Sequence, residues 1–140
     1  MSAQELVHRL LGEAGPAAGA QQINVNGDLS YWQVVFDSQT VFEVEFDPVL
    51  DRLVMTSHIA NLRSVRRQQM CELLLQMNYA WRETGGVRMA LDPRTDSVVM
   101  MFEMPIASLQ AQQLRASFAN LLVKHRSWRQ IVIDSAPAPA

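Results

Sequence analysis

Cysteine occurs once, at Cys71, which excludes an internal disulfide and leaves too few thiolates for a cysteine zinc site. Lysine also occurs once. Of 12 basic side chains all but Lys124 are arginine, and 14 acidic ones outweigh them to a net charge of -2 and a pI near 5.9. An acidic balance argues against a chain whose main task is gripping phosphate backbones, so no nucleic-acid partner is expected. Long apolar runs are missing: the longest is Val98-Val99-Met100-Met101-Phe102, against the roughly 20 residues a membrane-spanning helix needs. The opening stretch, Met1 to Leu11, mixes Glu5, His8 and Arg9 among its apolar residues, unlike a secretory signal. No internal repeat is present. With 49% hydrophobic and 19% charged residues the chain is not of disordered type, and 140 residues suffice for a single core. A soluble domain of a reducing compartment, without membrane insertion, is the expectation.

What is present is ordered by period. Ser2 is placed to cap a helix, with Glu5 as its capping-box partner. Leu6, Val7, Leu10, Leu11 and Ala14 then recur at helical spacing until Gly15-Pro16, where the helix is expected to stop. Ile23 to Val25 gives only a weak extended signal. Strand alternation follows in Tyr31–Phe36, in Val41–Phe46 and over about Arg52–Ile59, with turns at Asp37-Ser38-Gln39 and at Asp47-Pro48-Val49-Leu50-Asp51. From Ser64 to Trp81 the period becomes helical, with Met70, Leu73, Leu74, Met77 and Trp81 on one face, and Gly85-Gly86 ends it. Val87, Met89 and Leu91 mark a fourth strand and Ser97–Met104 a fifth, joined by the turn Asp92–Asp96. A last helix over about Ser108–Gln130 carries Leu114, Phe118, Leu121, Leu122, His125 and Trp128 inward. The order α-β-β-β-α-β-β-α reads as an α+β sandwich: a twisted antiparallel sheet with three helices. One domain is expected over 1–134, followed by a disordered Ala/Pro tail at 135–140. The fifth strand is apolar on both faces, and the helix carries Cys71 and Leu75 beyond its main stripe, so a homodimer is expected to cover the excess.

Catalytic constellations do not assemble in the sequence. His8, His58 and His125 are scattered without the i, i+4 or hairpin spacing that seeds a metal site, so neither metal nor cofactor is expected. His125, in the inner stripe of the last helix, reads as a packed core or interface histidine. Cys71 lies one turn inside an amphipathic helix beside Met70 and Leu74, as an apolar filler rather than a nucleophile. The pairs Asp47/Asp51 and Asp92/Asp96 bracket proline turns, where Asp shapes backbone, and Glu43/Glu45 face the wet side of a strand. No catalytic residues are therefore assigned, and the chain is expected not to be an enzyme. Arg63, Arg66 and Arg67 form the one basic cluster, read as a solvated face or as a contact for an acidic protein. The eight methionines are either core filling or an adaptable apolar surface, and a free strand edge in such a protein can take up an extended segment.

The run Met77-Asn78-Tyr79-Ala80-Trp81-Arg82-Glu83-Thr84-Gly85-Gly86-Val87-Arg88-Met89-Ala90-Leu91-Asp92, with Val98–Phe102 and Met104-Pro105-Ile106 beyond it, resembles the class I chaperones of bacterial type III secretion, the Tir-chaperone (CesT) family. The likeness extends to about Ile133. It implies a homodimeric, non-catalytic cytoplasmic chaperone that binds the N-terminal segment of a secreted effector, keeps it export-competent and delivers it to the secretion apparatus, with the secretion ATPase as a further partner. By position it implies effector contacts at Leu6, Leu10, Trp32, Val34, Phe36, Phe42 and Val44. It implies a dimer contact at Met70, Leu73, Leu74, Met77, Trp81, Val87, Met89 and Leu91. A regulatory domain of similar fold with a signalling partner is the alternative. The glycine-alanine stretch at 15–20 and the Ala-Pro tail are departures from the family pattern.

Overall fold

The computed structural model describes residues 1–62 and 66–135; the start of the second predicted helix, with Arg63 and Ser64, and most of the Ala/Pro tail lie outside the described residues. In chain order the elements are α1 (Ala3–Ala17), β1 (Gln22–Val25), β2 (Tyr31–Asp37), β3 (Thr40–Asp47), β4 (Arg52–Asn61), α2 (Arg67–Tyr79), α3 (Trp81–Thr84), β5 (Arg88–Asp92), β6 (Ser97–Pro105) and α4 (Ala111–Asp134). The α+β expectation holds, with six strands rather than five and one additional short helix. All neighbours are antiparallel, in the order β1-β2-β3-β4-β6-β5.

Helix α1 starts as its sequence dictates: Ser2 Oγ accepts from the Glu5 N–H, and the Glu5 carboxylate accepts from the Ser2 N–H. It does not stop at Gly15-Pro16. Pro16 forfeits one hydrogen bond in the last turn, the Ala18 N–H still reaches the Ala14 carbonyl, and Gly15 has no Cβ to meet the proline ring. The bare Cα of Gly15 also lets β1 approach, since a Cβ there would lie 2.9 Å from Ile23 Cδ1. That close fit helps make the Ile23 segment a strand in spite of its weak sequence signal.

Register sorts the sheet into two faces. Val34, Phe42, Ser57, Met100 and Met89 stand in one cross-strand row facing the core. One residue along, Gln33, Glu43, Thr56, Met101 and Arg88 form a row on the opposite, open face. Helices α1 and α4 cover the core face with Val7, Leu10, Leu11, Leu114, Phe118, Leu121 and Trp128 buried against it. Phe36, Phe42 and Phe118 meet there, the first edge-on to the other two.

Helix α2 lies beside the outer strand β5, with Met70 and Leu74 buried. The Asn78 carboxamide donates to the Met89 carbonyl and accepts from the Met89 N–H, each at 2.8 Å, as a neighbouring strand would. Helical geometry breaks at Ala80, where ψ is 46°, so Trp81 turns out of the stripe that Met77 belongs to. Trp81 is 61% exposed instead of facing inward. Gly85, in the left-handed region with φ of 66°, closes α3 rather than α2. Helix α4 begins at Ala111, after Ser108 at φ of 61°, and runs one turn past the expected end.

Candidate functional site

The three histidines sit on separate elements, each in a local pairing. His8 on α1 accepts at Nδ1 from the indole N–H of the fully buried Trp32, 3.0 Å away. His58 on β4 contacts Asp92 at 3.0 Å on the open face. That bond first, and the Arg94 backbone N–H second, lower the Asp92 carboxyl to about 2. His125 on α4 is buried, its Nδ1 in short contact with Ser57 Oγ. Burial holds its imidazole below the ordinary value of 6.5, with Arg129 and Arg126 acting the same way and the Gln39 backbone and Asp37 opposing. Its Nε2 is buried with no hydrogen-bond partner among the described residues. This hydroxyl–imidazole pair is sealed between β4 and α4, where no substrate reaches it.

Sequence reasoning assigned Asp47 and Asp92 to turns, and both do accept backbone N–H groups there. It missed their second roles. Asp92 also holds His58, and Asp47 pairs with Arg52 at 2.8 Å, while Arg52 and Arg88 both pair with Glu103. Arg67 of the basic cluster is held by Asp96 at 2.6 Å. Cys71 is half-buried. Met55, Met70, Met89 and Met100 are buried, and Met77, Met101 and Met104 are half-buried, so the methionines chiefly fill the core.

The residues inferred to touch an effector are placed inside. Trp32, Val34 and Val44 are wholly buried, and Leu10, Phe36 and Phe42 nearly so, beneath α1 and α4, while Leu6 is half-buried. The free face of the same strands carries Tyr31, Gln33, Val35, Val41, Glu43 and Glu45 instead. Strand register decides this choice of face, and alternation within each strand leaves it open. Of the residues inferred for the dimer, Met70, Leu74, Val87 and Met89 are buried within the protomer. Leu73, Met77 and Leu91 pack partly against the core. Exposed on this side are Trp81, Leu75 at 71% and Tyr79 at 89%.

The two ends of the sheet differ. At β5 the outward N–H and carbonyl of Met89 are taken by Asn78, and α2 lies beside the strand. At β1 nothing described pairs with the outer side: the Asn26 N–H donates to the Tyr31 carbonyl, and the alternation this sets turns the backbone of Ile23 and Val25 away from β2. Asn24, Val25, Asn26, Tyr31 and Gln33 line a shallow hollow of about 270 Å³ beside this edge. The Val25 side chain is 41% exposed on the core-facing side.

A family model described as the Tir chaperone protein (CesT) family matches residues 25–129. The structure of the ExsC-ExsE complex is similar with a TM-score of 0.81 and 20% identity, over 94% of this chain and 97% of that one. A HopA1-SchA chaperone-effector complex is similar at 0.71 and 17%, over 91% and 95%. The ExoT-SpcS complex from Pseudomonas aeruginosa follows at 0.53 and 14%, over 87% and 96%. At these identities the structures establish a shared fold. Among curated proteins none matches the sequence.

Proposed function

The chain belongs to the Tir chaperone protein (CesT) family, and from that premise we propose how it holds its cargo. It is a type III secretion chaperone that binds effectors. The N-terminal segment of the effector docks in extended form along β1, adding a strand to the sheet, and is kept unfolded there for delivery to the secretion apparatus in the cytoplasm. The observation that carries this is the asymmetry of the sheet: on β5 the Met89 backbone is held by Asn78 with α2 alongside, while on β1 the backbone of Ile23 and Val25 turns outward with no partner among the described residues. Side chains of the added strand would alternate between Val25 on one side and the polar hollow of Asn24 and Gln33 on the other.

The chaperone works as a homodimer, and exposed Leu75, Tyr79 and Trp81 next to the half-buried Leu73 and Met77 supply its contact. The secretion ATPase is the further partner at delivery. Function is by binding alone. Among the described residues no helix is long and apolar enough to cross a membrane.

The test is to purify the tagged protein from its host under secretion-inducing growth and record the native mass of what comes with it. Two copies carrying one larger protein, lost when that protein's N-terminal region is removed, is the expected result. A lone monomer without cargo overturns both the dimer and the mode of binding.

A further inference from the structure

At the opposite end of the sheet from β1, a cleft of about 400 Å³ opens between the turn after α3 and the outer side of α4. The cleft borders the sheet at Phe102 on β6, four strand spacings or about 19 Å from β1, so the two can be filled at the same time. Its apolar lining is Val87, Phe102 and Leu121, of which Phe102 is half-exposed, and Val123 stands at its rim with 65% exposure. Arg82 and Lys124 line opposite walls. Neither has an ion-pair partner among the described residues, and Arg82 lies over the Trp81 ring at 5.2 Å. Glu83 is the one carboxylate lining the cleft.

A net positive cleft with an apolar floor, on a chain of net charge -2, selects by sign. We propose that this cleft is a docking site for an acidic protein segment that inserts one bulky apolar side chain over Phe102 and Val87 and sets flanking carboxylates against Lys124 and Arg82. The volume suits one large side chain with its neighbours. Neither cation holds the fold together, so both can be reversed without unfolding the protein.

The probe is a short fluorescent peptide with one Phe between pairs of Asp and Glu, compared with its Lys/Arg counterpart. The acidic peptide is expected to bind the full-length protein saturably and to shift the methyl NMR signals of Val87, Leu121 and Val123. The double substitution R82E/K124E should weaken it about tenfold or more and make the basic peptide the better ligand. Equal binding of both peptides to the unaltered protein overturns the proposal. So does undiminished binding by the variant, or a shift confined to residues elsewhere. A changed native mass of K124E alone, which leaves Arg82 and the Trp81 contact in place, would assign the cleft to contact between copies of this chain and overturn it equally. Capture of effector through β1 is scored separately in each variant, so failure of the cleft and failure of the chaperone reading remain distinguishable.

Discussion

His125 carries the sharpest consequence at the scale of single residues. Its folded-state imidazole is harder to protonate than in the unfolded chain, so the unfolded state binds more protons as pH falls below about 6.5. Stability is therefore full above that pH and declines beneath it. Urea titrations at pH 7 and pH 5 should show the loss, and His125→Gln should flatten it. That variant should also cost about 1–3 kcal/mol at pH 7 by disturbing the bond to Ser57. Equal pH sensitivity in both proteins would clear the imidazole of responsibility. Asp92 acts in the same direction lower down: its carboxyl sits near 2 rather than 3.8, so its contribution is present above about 4 and fades toward 2. Asp92→Asn should remove that acid limb from the stability profile. None of these partners was legible beforehand. The spacing of His125 marked it as buried, but Ser57 lies on a strand whose neighbour in space depends on tertiary packing, and His58 meets Asp92 only once β4, β6 and β5 are in register.

Among the elements, those with a strong period and a chemical stop were readable: the Ser2/Glu5 start of α1, the stripe of α4, and β2 and β3 with their Asp turns. Three things were not. Strand β1 has four residues, too few for its alternation to signal a strand, and it forms where a bare Gly15 admits Ile23 and β2 offers its edge. Trp81 fits the period of α2, but one backbone angle at Ala80 removes it from that period. Which face of β2 and β3 is free follows from packing against α1 and α4, so the cargo residues inferred from resemblance landed in the core. Two substitutions probe the sheet ends. Asn78→Ala should cost about 1–3 kcal/mol, since two backbone groups of Met89 lose their partner, and should speed amide exchange at Met89. Val25→Pro should leave stability nearly unchanged, because the lost N–H faces outward on an edge strand. It should nevertheless weaken effector binding in calorimetry, and unchanged affinity would place cargo elsewhere.

For the whole molecule, the apolar excess that suggested a partner in the sequence is real but differently distributed. The doubly apolar β6 is mostly satisfied within the protomer, with Val98, Val99 and Met100 buried. The surplus lies on α2 and α3, at Leu75, Tyr79 and Trp81. Leu75→Glu with Trp81→Glu should convert the proposed homodimer to a monomer in sedimentation velocity without lowering the helical signal, and an unaltered protein that sediments as a monomer would remove the homodimer itself. A dimer that survives the change would have to use another surface, such as the open sheet face.

The unequal ends of the sheet also govern what the molecule cannot become. A protein with two receptive edges is a bifunctional monomer, able to chain with its own kind without limit, as edge-to-edge aggregates do. With the Met89 backbone of β5 held by Asn78 and α2 alongside that strand, a single copy offers β1 as its receptive edge. A lone copy is therefore extended once, whereas the proposed homodimer presents two β1 edges, and cargo bound on them is what keeps the same growth from continuing.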